Sequence, residues 1–122
     1  MITCAMCDDE LPFAEQLRSF VMAYAKKRRV ELQAETFASA EELLEEIENG
    51  AGFEILFLDI EMRKMDGIEL GKKLRERSYQ TLIIYVSGYD QYMRQLFEAE
   101  PFRFLSKPLK QEELENVLDK AF

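Results

Sequence analysis

Five polar side chains of this sequence each follow a short apolar run, and they are Asp8, Asp9, Asp59, Ser87 and Lys107. Carboxylates that crowd together repel one another by several kcal/mol per pair when partly buried, and a proton, an ammonium group or a divalent cation relieves that repulsion. Because the ligands on offer are oxygens, Mg²⁺ is the cation we expect. A carboxylate beside Mg²⁺, with a lysine and a hydroxyl to hold phosphoryl oxygens, is suited to phosphoryl transfer, with Asp59 as the nucleophile.

Each of these residues also has an ordinary structural explanation. Asp8 or Asp9 could cap a following helix, Ser87 could lie in a turn, and the Lys107 ammonium could be solvated. Taken singly, these explanations are the more common ones. The argument for a site depends on the residues lying together, which requires that the elements before them end at one edge of the fold.

The elements that would position these residues alternate between strand and helix five times. The predicted strands are Thr3–Cys7, Val30–Phe37, Ile55–Leu58, Leu82–Val86 and Phe102–Leu105. Four of the predicted helices are Leu11–Arg28, Ile68–Arg77, Asp90–Glu98 and Gln111–Phe122. The remaining helix, second in the chain, begins at the capping box Ser39–Glu42 and ends at Asn49–Gly50. This order predicts an α/β fold with a doubly wound, five-stranded parallel sheet and helices on both faces. Ligands of such sheets bind where the strands end, near the point where strand order reverses.

The composition restricts the classes of function. A length of 122 residues suits one domain, and 16 basic against 24 acidic residues give a net charge of -8, which disfavours binding to nucleic acid. The absence of histidine excludes an imidazole base, an imidazole metal ligand and a Ser–His pair. No apolar run is long enough to cross a bilayer and no signal peptide opens the chain, so we expect a cytoplasmic protein with no membrane partner.

Three further motifs could indicate other chemistry. Cys4 and Cys7 form a C-x-x-C spacing, but residues three apart in a strand point to opposite faces, so we interpret both as core residues. The basic cluster Lys26–Arg29 is typical of a helix C-terminus, where cations are stabilised. The segment Asp59–Leu70 resembles a calcium loop only at its start, because Arg63 occupies a position that needs an oxygen ligand.

Four motifs together resemble the receiver domain of two-component response regulators, and the resemblance covers the whole chain. They are Cys7-Asp8-Asp9-Glu10, Leu58-Asp59-Ile60-Glu61-Met62 with Met65-Asp66-Gly67, Val86-Ser87-Gly88-Tyr89, and Phe104-Leu105-Ser106-Lys107-Pro108. Each motif is weak alone, but the four in this order are highly specific. The first motif, with Tyr89-Asp90 and Lys107-Pro108, is most similar to receivers of LytTR-type transcription regulators. The resemblance implies a flavodoxin-like (CheY-like) fold and one receiver domain over residues 1–122, with any DNA-binding output domain absent from this chain.

The resemblance implies a metal site among the acidic residues. Asp59 would be the phosphoacceptor, and Asp8 and Asp9 would form the acidic pocket. Asp9 and Asp59 would bind Mg²⁺ directly, Asp8 would act largely through water, and the backbone carbonyl of Glu61 would complete the protein's ligands. Glu61 and Tyr89 would flank the mouth of the site and tune the access of water to the acyl phosphate.

The resemblance also implies a conformational switch. Lys107 would contact a phosphoryl oxygen, and in the family the Lys107–Pro108 bond is cis. Ser87, at a position where threonine is commoner, would move to hydrogen-bond the phosphoryl group and let Phe104 turn inward. Phe104 stands where tyrosine is commoner, so no phenolic hydroxyl can report the switch to a partner.

These features favour a phosphorylation switch rather than an enzyme. A sensor histidine kinase would donate the phosphoryl group, and a homodimer would form through the predicted helix Asp90–Glu98, the fifth strand and the last helix, a surface that includes Tyr92, Phe102 and Arg103. DNA would be bound only through the absent output domain. Two alternatives remain open. One is a phosphorylation-independent interaction module, disfavoured because no site residue is missing; the other is a small phosphatase, which would need a D-x-D motif at the first strand.

Overall fold

The computed structural model describes residues 1–77, 79–88 and 102–122, and it forms these into strands and helices in alternation. The strands are β1 (Ile2–Cys7), β2 (Leu32–Phe37), β3 (Ile55–Asp59), β4 (Leu82–Ser87) and β5 (Arg103–Ser106). The helices are α1 (Leu11–Arg28), α2 (Ala40–Glu48), α3 (Gly67–Glu76) and α4 (Gln111–Ala121). The predicted helix Asp90–Glu98 lies outside the described residues, as do Tyr89 and Tyr92.

The strands form one parallel sheet in the order β2-β1-β3-β4-β5. The chain runs from β1 to β2 on one side of the sheet and from β3 to β5 on the other, so strand order reverses between β1 and β3. A doubly wound sheet has its ligand-binding crevice at such a point, at the carboxyl ends of the strands. The predicted doubly wound, five-stranded parallel sheet is confirmed.

Two apolar clusters, one on each face, place the sheet between layers of helices. One cluster joins the sheet to α1 and α4 through Leu17, Val21, Leu114 and Leu118. The other joins it to α2 and α3 through Leu43, Ile47, Leu70 and Leu74. Because β3 is covered on both faces, all five of its residues are buried. Cys4 lies in the first cluster and Cys7 in the second, both as free thiols, which confirms them as core residues.

The second strand begins later than its sequence pattern predicted. Helix α1 is followed by Arg29 in the left-handed conformation, with φ 57° and ψ 42°. The N–H of Val30 then donates to the carbonyl of Ala25 over 2.9 Å, which closes the end of the helix. Since Val30 belongs to this helix end, β2 begins at Leu32, and the prediction of a strand from Val30 is wrong.

Arg29→Gly is expected to stabilise the domain by about 1 kcal/mol. In the left-handed conformation of Arg29 the Cβ atom crowds the following carbonyl, and glycine lacks that atom. Urea unfolding of the wild type and the variant measures the change. Arg29→Ala is the matched control, because it removes the same charged side chain and keeps Cβ. An equal gain from Arg29→Ala would contradict the backbone explanation.

The basic cluster at the end of α1 connects this helix to α4. The Lys27 ammonium lies 3.0 Å from a carboxylate oxygen of Glu115, and the Arg28 guanidinium makes two bonds of 3.0 Å to Asp119. The Lys27 and Arg28 side chains therefore form ion pairs inside the domain and join α1 to α4 on one face of the sheet. None of the helices in the described residues has the length and apolar character needed to cross a membrane.

Candidate functional site

Three carboxylates meet at the ends of β1 and β3. Asp8 and Asp9 directly follow β1, and Asp59 is the last residue of β3. One oxygen from each of the three lies within 4.8 Å of the others. Asp8 and Asp59 are only 2% and 6% exposed, whereas Asp9 is exposed, so the cluster is buried on one side and faces solvent on the other.

Asp8 has two hydrogen-bond partners among the described residues, and in neither bond does Asp8 cap the first turn of a helix. Its Oδ1 atom accepts from the backbone N–H of Glu10 over 2.8 Å, and its Oδ2 atom accepts from the Lys107 ammonium over 3.0 Å. The N-cap residue of α1 is Glu10, which makes no side-chain capping bond. Helix capping therefore does not account for the acidic pair after β1.

Lys107 follows β5 and reaches into the acidic cluster. Its Nζ atom lies 3.0 Å from Asp8 Oδ2 and 3.6 Å from Asp59 Oδ1. The same ammonium lies 4.1 Å from the centre of the Phe13 ring, a cation–π contact. Burial lowers the pKa of Lys107, but the hydrogen bond to Asp8 and the charges of Asp59 and Asp8 outweigh burial and raise that pKa overall. The lysine is thus held as an ammonium beside Asp59.

The pKa of Asp59 is raised from its ordinary value of 3.8 to about 7. Burial is the main cause, and the negative charges of Asp8 and Asp9 add to it, while the Lys107 ammonium acts in the opposite direction. The Lys107 ammonium therefore does not fully offset the cost of ionising Asp59 in this buried cluster. Any further positive charge at the cluster would favour its ionised form.

An open cleft of about 390 Å³ adjoins the cluster. It is lined by Glu10, Asp59, Glu61, Ser87, Gly88 and Lys107. Ser87 is the last residue of β4 and is buried, and Glu61 is exposed in the segment after β3. The structure thus places a hydroxyl-bearing residue and a lysine on the same cleft as the Asp59 carboxylate. The Lys107–Pro108 peptide bond is cis.

Phe104 lies on β5, the strand that pairs with β4, whose last residue lines this cleft. Its backbone is opposite Tyr85 of β4, two residues before Ser87. The half-buried Phe104 ring packs against the cluster between the sheet and helices α2 and α3. The candidate switch residues Ser87 and Phe104 are therefore on neighbouring strands, joined by the ladder between β4 and β5.

The donor set fits a hard divalent cation. Three carboxylates offer oxygen ligands, and burial together with the charges of Asp8 and Asp9 raises the pKa of Asp59, so a cation bound there would stabilise its ionised form. Among the described residues Cys7 is not part of this cluster: its buried thiol donates to Met62 Sδ over 3.6 Å, and burial and then the charge of Asp8 raise its pKa. Oxygen ligands of this kind suit Mg²⁺.

Other residues at the site were not singled out by sequence spacing. Phe13 contacts the lysine ammonium, the N–H of Arg63 donates to Asp9 Oδ2 over 3.3 Å, and the N–H of Met65 donates to Glu41 Oε2 over 2.9 Å. Phe13 lies in the first turn of α1, just after the strand end, and that position could have indicated it. The Arg63 contact joins the loop after β3 to the loop after β1, and the Glu41 contact joins it to α2, so no local sequence pattern indicates either of them.

The fold and the site together define a class of protein, a doubly wound α/β domain with an acidic cluster and a lysine at its switch point. Residues 5–119 match the response regulator receiver domain family. The chain belongs to that family, and it is a receiver domain of the kind found in two-component response regulators. The resemblance read from the four motifs is confirmed.

The relatives include response regulators of the LytR and LytT type. Sensory transduction protein LytR of Streptococcus agalactiae is 28% identical over 116 residues, which cover 93% of this chain and 45% of LytR. Sensory transduction protein LytT of Bacillus subtilis is 27% identical over 125 residues, which cover 98% of this chain and 48% of LytT. The chain therefore spans about half the length of these curated relatives. They agree with the predicted similarity to LytTR-type regulators.

A solved structure shares the fold over the whole chain. The response regulator protein TrrA from Thermotoga maritima, solved in complex with Mg(2+)-BeF, has a TM-score of 0.84 and 23% sequence identity. The alignment covers 100% of this chain and 100% of TrrA. This similarity supports the assignment of a CheY-like, flavodoxin-like fold.

Proposed function

We propose that Asp59 accepts a phosphoryl group from the phosphohistidine of a sensor histidine kinase. The observation that carries the proposal is the approach of Asp59 to within 3.6 Å of the Lys107 ammonium, inside a cluster of three carboxylates at the switch point. A carboxylate oxygen of Asp59 forms a bond to phosphorus while the P–N bond of the donor breaks. The imidazole of the donor leaves with the electron pair and takes up a proton.

The residues that would hold Mg²⁺ are Asp8, Asp9, Asp59 and the backbone carbonyl of Glu61. When bound, Mg²⁺ supplies positive charge that neutralises the carboxylates and the phosphoryl oxygens. Lys107 holds one phosphoryl oxygen, since its ammonium already lies beside Asp59. From the end of the neighbouring strand β4, the Ser87 hydroxyl donates a hydrogen bond to a second phosphoryl oxygen. The product is an acyl phosphate that serves as a signal rather than a turnover product.

The switch proposal concerns Ser87 and Phe104. When the Ser87 side chain turns toward the phosphoryl group, the space between the end of β4 and β5 changes. Phe104 lies on β5 next to this point and is only half-buried, so part of its ring is still exposed and would become buried when it turns inward. The surface that senses this change would include β5 and α4, together with the predicted helix Asp90–Glu98.

The proposed output is transcription control through a LytTR-type DNA-binding domain of the whole protein, with residues 1–122 as the receiver domain. The similarity to LytR and LytT supports this, as does the span of about half their length. The surface sensing the switch is also the proposed homodimer surface. On β5 it exposes Arg103, whose guanidinium lies 4.5 Å from the centre of the Phe102 ring.

Intact mass after incubation with acetyl phosphate tests the phosphoacceptor. We expect the wild type with Mg²⁺ to gain one phosphoryl group that is stable in acid and labile in base. The same protein in EDTA, and Asp59→Ala with Mg²⁺, should gain none, because one lacks the cation and the other lacks the accepting oxygen. Uptake by folded Asp59→Ala would contradict the assignment of Asp59, and no uptake by folded wild type would contradict the proposed function.

A further inference from the structure

The β3–α3 loop, residues 60–66, is anchored by acidic side chains from two other elements. The N–H of Arg63 donates to Asp9 Oδ2, and the N–H of Met65 donates to Glu41 Oε2. Between these two anchors Lys64 has φ 61°, a left-handed conformation that residues with side chains rarely adopt. The loop therefore combines a strained turn with one hydrogen-bond anchor on each side of it.

Glu41 is the stronger of the two anchors by distance. It lies in the first turn of α2, is half-buried, and accepts from Met65 over 2.9 Å across 24 positions of sequence. The Asp9 anchor is longer, at 3.3 Å, and Asp9 is itself in the acidic cluster. Among the described residues that cluster consists of Asp8, Asp9 and Asp59, so Glu41 contacts the loop without belonging to it.

We propose that Glu41 is a positioning residue for the Mg²⁺ site, an inference that rests on the proposed function. By accepting the Met65 N–H, Glu41 fixes the loop whose Glu61 carbonyl is a proposed ligand. Through Arg63 the same loop orients the Asp9 carboxylate. Substitution of residues that orient metal ligands without touching the metal changes metal affinity by about 10- to 100-fold. Glu41 acts through the loop backbone and does not touch the cation.

The competing explanation is that Glu41 attracts Mg²⁺ by its charge alone. Two conservative variants separate the explanations. Glu41→Gln removes the charge and keeps an oxygen acceptor at the same reach. Glu41→Asp keeps the charge but is one methylene shorter, so its oxygens no longer reach the Met65 N–H. Positioning predicts that Glu41→Gln retains the affinity for Mg²⁺ and that Glu41→Asp loses about 10-fold; attraction by charge predicts the reverse.

Two measurements on the folded proteins test this inference. Titration calorimetry with MgCl₂ gives the affinity, and hydrogen exchange of the Met65 amide in the metal-free protein reports the anchoring bond itself. We expect faster exchange of that amide in Glu41→Asp and retained protection in Glu41→Gln. Glu42→Asp is the matched control, because Glu42 is the exposed neighbour in the same helical turn and should change neither quantity.

The outcomes distinguish this inference from the proposed function. Wild type that binds no Mg²⁺ would overturn the proposed function and the positioning role with it. Wild type that binds Mg²⁺, with Glu41→Asp equal to it, would overturn the positioning role alone. Glu41→Gln as weak as Glu41→Asp would also overturn it, because an acceptor at full reach would then be insufficient.

Discussion

At about pH 8 and without divalent cations, Asp59→Asn is expected to raise the free energy of unfolding by about 2–4 kcal/mol. Burial, and then the charges of Asp8 and Asp9, raise the pKa of Asp59 from 3.8 to about 7. A tenfold change in proton affinity corresponds to about 1.4 kcal/mol, so ionised Asp59 destabilises the folded state by a few kcal/mol. An asparagine of the same shape removes that charge from the buried cluster.

The effect has a definite dependence on pH. The folded state binds the Asp59 proton more tightly than the unfolded chain does. The contribution of this proton to the free energy of unfolding is therefore fully present below about pH 4. It is lost as the pH rises from about 4 to about 7 and is absent above that. The advantage of Asp59→Asn over the wild type should therefore be small at about pH 4 and largest at about pH 8.

Urea unfolding in EDTA at these two pH values measures the difference. Glu46→Gln is the matched control, because it removes a carboxylate from an exposed position on α2 and should leave stability almost unchanged at both. Addition of Mg²⁺ at the higher pH should stabilise the wild type more than the asparagine variant, which lacks one of the proposed ligands. A difference that stays constant with pH would contradict the explanation by buried charge.

The sequence was most informative about the ends of the strands. Parallel strands with apolar interiors must end at one edge, so Asp8, Asp59 and Lys107 could be placed near one another before their distances were known. The structure brings both aspartates within hydrogen-bond or ion-pair range of the lysine. The doubly wound topology followed from the same alternation of strand and helix. Only periodicity and chain order are needed for that inference.

Other features depend on packing between segments that are distant in sequence. The alternation beginning at Val30 is typical of a strand, yet the left-handed Arg29 and the bond from Val30 to Ala25 assign that residue to the end of α1. Glu41 stands in an ordinary capping box, and nothing local indicates that its carboxylate binds a loop 24 positions away. Such contacts exist only after α2 has packed on the sheet.

Gly67→Ala is expected to destabilise the domain by about 3 kcal/mol. A Cβ atom at position 67 would collide with the backbone carbonyl oxygen of Asp59, and it would come within 3.0 Å of the Asp59 carbonyl carbon. Backbone at this point is bound to its surroundings and has little freedom to move. The N–H of Gly67 donates to the Ile60 carbonyl over 3.0 Å, and the Gly67 carbonyl accepts from the buried Tyr85 hydroxyl over 3.0 Å.

Urea unfolding compares Gly67→Ala with Gly52→Ala, whose added Cβ would meet no atom within 4 Å. The control should change stability by well under about 1 kcal/mol. Because Gly67 abuts the end of β3, the variant should also displace Asp59 and weaken binding of Mg²⁺ as measured by calorimetry. A Gly67→Ala protein as stable as the control would show that α3 can move away from β3 without loss.

Combining Gly67→Ala with Tyr85→Phe tests what holds α3 against the strand that ends in Asp59. Tyr85→Phe alone removes the hydroxyl donor from the Gly67 carbonyl, an expected loss of about 1 kcal/mol. In the double variant the first turn of α3 is no longer bonded to Tyr85, so it can move away from the Asp59 carbonyl and relieve part of the collision. The combined loss should fall short of the sum of the single losses by about 0.5–1 kcal/mol. Additive losses would contradict this coupling and would leave the bond between Gly67 and Ile60 as the main restraint on α3.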